Sequence, residues 1–113
     1  DDVQGMRTIF PIQMDETASF KLELIKKTAS VAAAETSAHG IHWTFAPMVD
    51  ISRDARWGRS MEGAGEDPWY GSQVAKARVE GFQGTDYNDR NTVLACAMHF
   101  AAYVAAVAGK DYA

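Results

Sequence analysis

The chain has 113 residues, 47% of them hydrophobic, with a formal charge of −4. That is one small domain's worth of chain, apolar enough to exclude wholesale disorder. The acidic balance, with no basic cluster interleaved with aromatics, argues against a nucleic-acid or anionic-membrane partner, and no apolar run approaches the roughly 20 residues of a membrane span.

In chain order, Thr8-Ile9-Phe10 reads as a brief buried strand ended by Pro11. From about Thr17 the pattern becomes helical: Leu22, Ile25, Ala29, Ala32 and Ala33 recur on one stripe. Thr17 or Ser19 is the predicted N-cap and Gly40 the stop. Ile41 to Val49 is β-branched and aromatic, which predicts a strand ending near Pro47. A polar loop rich in Arg, Asp, Glu, Trp and Gly then runs to Asp67-Pro68, an N-cap followed by proline at the first helical position. Ala75, Val79 and Phe82 predict the buried face of that helix, and Gly84 its end. Val93 to Met98 is a continuous apolar run, read as a strand covered on both faces.

This alternation predicts an α/β fold with a βαβαβ order and parallel strands. Three such strands leave two open edges, so self-association into a homo-oligomer through the sheet edges is expected. The small-residue segment after His99 carries no stop signal, as though the chain were cut inside a larger fold. The N-terminal stretch shows no charged region followed by an apolar one, so no signal peptide is read in it.

Carboxylates are the first candidates for chemistry. A glycosidase flanks its bond with two carboxyls, and Asp54, Glu62 and Glu66 lie in one loop with Asp50 and Asp67. The competing reading is that they pair with Arg53, Arg56 and Arg59 and cap the next helix. His39 and His42 have a spacing that metal sites use, but Gly40 separates them and no carboxylate adjoins them in sequence, so no metal is expected. Cys96 is the only cysteine, which excludes an intrachain disulfide. Gly63-Ala64-Gly65 lacks the third glycine of a dinucleotide fingerprint, and no cofactor is expected. His99 falls where the third predicted strand ends, and Arg59 follows the second. Ligands bind at such carboxyl ends, and together the two side chains suit sugar hydroxyls. Trp43 and Trp57 offer apolar faces that a pyranose or the core can use.

Ala46-Pro47-Met48-Val49-Asp50, Arg53-Asp54, Arg56-Trp57-Gly58-Arg59 and Glu62-Gly63-x-Gly65-Glu66-Asp67-Pro68 resemble the N-terminal domain of glycoside hydrolase family 3, specifically its β-glucosidases. The likeness continues through Gly81-Phe82-Gln83-Gly84, His99-Phe100-Ala101-Ala102-Tyr103 and Gly109-Lys110-Asp111-Tyr112, and so covers residues 1–113 as one partial domain. The resemblance implies a (β/α)8 TIM-type barrel, of which this chain holds the early βαβαβ portion, too short to close alone. It implies hydrolysis of terminal nonreducing β-D-glucosyl residues with retention, through an Asp nucleophile and a Glu acid/base that both lie outside this sequence. It also implies that Asp1, Arg59 and His99 match positions holding the glucose hydroxyls, that the partner is a β-glucoside or glucose, and that the site of action is periplasmic or secreted. Two departures bear on the site: Met98 stands where the family has Lys, and Gln4 where it usually has His.

Overall fold

A computed structural model describes residues 5–105 and 107–111. Its regular structure is helical: α1 spans Gln13–Ala18, α2 Leu22–Ala38 and α3 Pro68–Gln83. Two 3₁₀ turns, Ser60–Glu62 and Val107–Gly109, complete the regular elements among the described residues.

Helix α3 starts as its sequence dictates. The Asp67 carboxylate accepts from the backbone N–H groups of Trp69 at 2.8 Å and Tyr70 at 3.1 Å, and Pro68 occupies the first turn, where no N–H is needed. Helix α2 buries Ile25, Ala29, Ala32 and Ala33, the predicted stripe, with Thr36 added and Leu22 only half-buried. It begins later than expected. The separate turn α1 contains Thr17, whose hydroxyl donates to the Gln13 carbonyl at 2.7 Å instead of capping α2.

The two long helices pack on each other. One end of the interface holds Ile25, Tyr70, Val74 and Ala77; the other holds Ala29, Ala32, Ala33 and Phe82, joined by Ala46 and Val93 from the connecting segments. Small side chains let the helices approach closely. A Cβ on Gly81 would stand 2.5 Å from the Lys26 carbonyl oxygen and 2.6 Å from the Ala29 Cβ, so α3 meets α2 through a glycine that no larger residue can replace without overpacking. The buried face of α3 is Tyr70, Gly71, Val74, Ala77, Arg78, Gly81 and Phe82, whereas Ala75 and Val79 lie at its margin.

The βαβαβ expectation, and with it the reading as an early portion of a TIM-type barrel, is corrected here. The described residues contain no strand and no sheet. Segments 41–49 and 93–98 run alongside each other but meet in only two isolated parallel bridges, Trp43 with Leu94 and Met48 with Met98. Residues 8–10 form no bridge among the described residues. Pro47 stands between the two bridged positions Trp43 and Met48 and has no N–H to give a ladder. β-Branched and aromatic content reports how side chains fit a pleated surface, not whether a ladder forms. Nor is the second segment covered on both faces, since Leu94 is 56% exposed. Without a sheet among the described residues, the strand-edge argument for self-association has no edge to rest on.

The hydrogen bonds between these two segments are what position the site. Cys96 N–H donates to the Ala46 carbonyl at 2.9 Å, Met98 N–H to that of Pro47 at 3.1 Å, and Val49 N–H to that of Met98 at 2.6 Å. They set Asp50 beside His99.

Candidate functional site

Arg59 stands at the N-terminal side of the Ser60–Glu62 turn. A 3₁₀ turn eclipses residues three apart, which returns the Glu62 side chain over Arg59. Arg59 Nε donates to Glu62 Oε1 at 2.7 Å and Nη2 to Oε2 at 2.6 Å, the bidentate geometry that fits guanidinium to carboxylate. This hydrogen bonding holds the Glu62 carboxyl below its ordinary range and the Arg59 guanidinium above its own. Both side chains remain about one-third exposed, at 32% and 31%, so water screens part of that attraction.

The remaining terminal nitrogen of Arg59, Nη1, lies 3.2 Å from His99 Nε2. On its other side the His99 ring places Nδ1 2.7 Å from Asp50 Oδ2, and the same oxygen accepts the His99 backbone N–H at 3.1 Å. The Asp50 side chain is 3% exposed. Arginine can only donate, so Nε2 must accept and Nδ1–H must donate to Asp50. One tautomer satisfies both contacts.

Aromatic rings back this pair. The Tyr103 ring lies 4.5 Å from the His99 ring, tilted by 56°, and the Arg59 Cζ sits 5.8 Å from its centroid. Buried Trp57 meets Tyr103 edge-on at 5.6 Å. A cavity of about 460 Å³ opens next to the cluster, lined by Arg59, Glu62 and Met98 together with Met48, Trp43 and Phe45. Its size is in the range of small-molecule sites. His99 is joined to it through Arg59.

The sequence candidates thus separate. Arg59, His99, Glu62 and Met98 come together around one cluster and its cavity. Asp54 is gripped by Arg56, whose Nε and Nη2 donate to it at 3.0 Å and 2.6 Å, and the contact holds its carboxyl down to about 2. Glu66 is exposed and borders a different depression with Arg53, Arg56 and Met61. Asp1 and Gln4 lie outside the described residues. A general acid must carry its proton at working pH, and neither Asp54 nor Glu62, each paired with arginine, is set up to do so. The arrangement offers fixed N–H donors and carboxylate acceptors, suited to gripping a polyhydroxylated ligand. Among the described residues no group of three or more His, Cys, Asp or Glu side chains is placed to hold a metal, and no helix is long and apolar enough to cross a membrane.

Sequence reasoning missed the second tier of this site. Asp50 was one more acid in a polar loop, and its role depends on a residue 49 positions away. Tyr103 and Asp111 gave no local signal beyond their place in the family-like motifs.

The chain matches the family described as the Glycosyl hydrolase family 3 N terminal domain over residues 1–113. It is 44% identical over 112 residues to a periplasmic beta-glucosidase of Salmonella typhimurium, covering 99% of this chain and 15% of that protein. It is 40% identical over 105 residues to a beta-xylosidase of Formosa agariphila, covering 90% of this chain and 14% of that one. Its structure superposes with a TM-score of 0.93, at 46% identity, on a beta-glucosidase from Listeria innocua determined in complex with glucose, covering 96% of this chain and 16% of the other. The chain therefore spans about 15% of the length of such relatives. By sequence and by structure, it belongs to glycosyl hydrolase family 3, to the N-terminal domain of that family.

Proposed function

We propose that this chain supplies part of the glucose-binding subsite of an enzyme that removes terminal nonreducing β-D-glucosyl residues. The observation that carries the reading is the contact between Arg59 and His99 at 3.2 Å, each anchored by its own carboxylate, Glu62 and Asp50. A guanidinium has five N–H donors, and the contacts to Glu62 and His99 leave some of them for a ligand. Pre-anchored donors suit neighbouring hydroxyls because little ordering remains to be done when the sugar arrives. Asp1 enters this proposal from the resemblance alone. A Listeria innocua relative that was crystallised with glucose, and again with laminaribiose, supports a β-glucoside as the ligand class. The periplasmic relative supports a periplasmic or secreted site of action.

In this reading the chain binds and the reacting carboxyls come from the parts of the enzyme outside this sequence. The arginine-paired state of Asp54 and Glu62 favours that division. The test is hydrolysis of an aryl β-glucoside by the purified chain, beside its Arg59→Ala and Glu62→Ala variants. Turnover at background in all three is the expected result. Turnover that both substitutions abolish would instead assign the chemistry to carboxyls of this chain.

A further inference from the structure

The aromatic backing of the Arg59–His99 pair is itself tied down from one point. Trp57 Nε1–H donates to Asp111 Oδ1 at 2.6 Å, and the Tyr103 hydroxyl donates to Asp111 Oδ2 at 3.3 Å. The two oxygens of one carboxylate thus hold two rings that pack edge to face, and one of those rings lies against both His99 and Arg59. We propose that Asp111 is a positioning residue of the site: its bridge between Trp57 and Tyr103 fixes the ring against which His99 and Arg59 are oriented. The proposal rests on the sugar-site reading for its purpose, but not for its geometry.

A second feature points the same way. Gly109 has a φ of +74°, and a Cβ there would stand 2.7 Å from the Trp57 backbone nitrogen and 2.8 Å from the Arg56 carbonyl carbon. Only glycine lets the chain pass this close to the Arg56–Trp57 backbone, and that passage delivers Asp111 to the indole. Among the described residues, the side-chain hydrogen bonds of Asp111 go to Trp57 and Tyr103, not to Arg59 or His99. Its influence would run through Tyr103, as outer-tier partners orient the groups that meet a ligand.

The test reads ring nitrogens, not activity. In the ¹⁵N-labelled chain, the Trp57 indole N–H should resonate as hydrogen-bonded, and His99 should show a single Nδ1–H tautomer. Asp111→Leu should shift the indole signal and move the His99 nitrogens toward tautomer-averaged positions. Asp111→Asn should restore both, because its amide oxygen can accept from the indole and its NH₂ can donate to the tyrosine. Tyr103→Phe keeps the ring but cuts the tether, and should disturb His99 while leaving the indole signal in place; it decides the matter if Asp111→Leu does not fold. A His99 signal unmoved in Tyr103→Phe, or in a folded Asp111→Leu, overturns the proposal, as does an Asp111→Asn that behaves like Asp111→Leu. Glucose titrated into the unsubstituted chain with no response would instead count against the sugar site and leave these nitrogen readouts intact.

Discussion

One oxygen of the buried Asp50 carboxylate meets both the ring Nδ1 and the backbone N–H of His99, at 2.7 Å and 3.1 Å. A single acceptor therefore ties both the backbone and the ring of His99 to one point, while the Tyr103 ring lies against its face. Asp50→Ala would strip both donors of their partner in a half-buried setting, a loss of about 1–3 kcal/mol. For a domain of this size that is several degrees of melting temperature. Thermal denaturation of the folded variant should show this drop. Asp50→Asn, which can still accept the backbone N–H, should lose less.

The Arg59–Glu62 pair makes a pH prediction. Hydrogen bonding from Arg59 holds the Glu62 carboxyl below its ordinary value of 4.5. A carboxyl depressed by folding stabilises the native state above its unfolded-state pKa, and that contribution disappears as pH falls through the native value. Melting temperature should therefore fall as the chain is acidified below about pH 4.5, with part of that slope missing in Glu62→Gln. Identical slopes in the two proteins would show that the pair is not coupled to folding.

Away from the site, Arg78 and Glu16 face each other at 2.7 Å with side chains only 7% and 8% exposed, and Thr28 donates its hydroxyl to the same carboxylate oxygen at 3.2 Å. Burial pushes the Arg78 pKa down, and Glu16 opposes that push. Removing one member of such a pair leaves the other charge stranded at a cost of about 3–5 kcal/mol, whereas replacing both with apolar residues costs far less. Chemical denaturation should find Arg78→Met much less stable than the Glu16→Leu/Arg78→Met double variant.

Met98 lines the cavity beside Arg59 and Glu62. An ammonium introduced there by Met98→Lys would reach a sugar hydroxyl as a charged donor, a contact worth roughly 1.5–3 kcal/mol. Calorimetry should record glucose binding tightened by about tenfold or more. Unchanged affinity would place position 98 outside the subsite.

These residues also show what could be read from the sequence. Asp67-Pro68 announced α3 because a cap is local chemistry, completed within three residues. The face of α3 was legible only at Phe82, because its close contact with α2 runs through Gly81 and its buried Arg78 pairs with Glu16 on α1, and no hydrophobic period marks either residue. Short apolar segments looked like strands, yet 41–49 and 93–98 share only two bridges, because pairing depends on a partner's register and on Pro47. Arg59 and His99 stood out by residue type and position. Their anchors were only half visible: Glu62 is near in sequence, while Asp50 reaches His99 through the folding of two distant segments.

In the proposed subsite Arg59, held by Glu62 and in contact with His99, grips a sugar hydroxyl. The most direct measurement is calorimetric titration of glucose into the folded chain and into its Arg59→Ala variant. Loss of one charged hydrogen bond predicts affinity weakened by about tenfold or more. Equal affinity in two folded proteins would mean that the cluster built around Arg59 is not where the sugar binds.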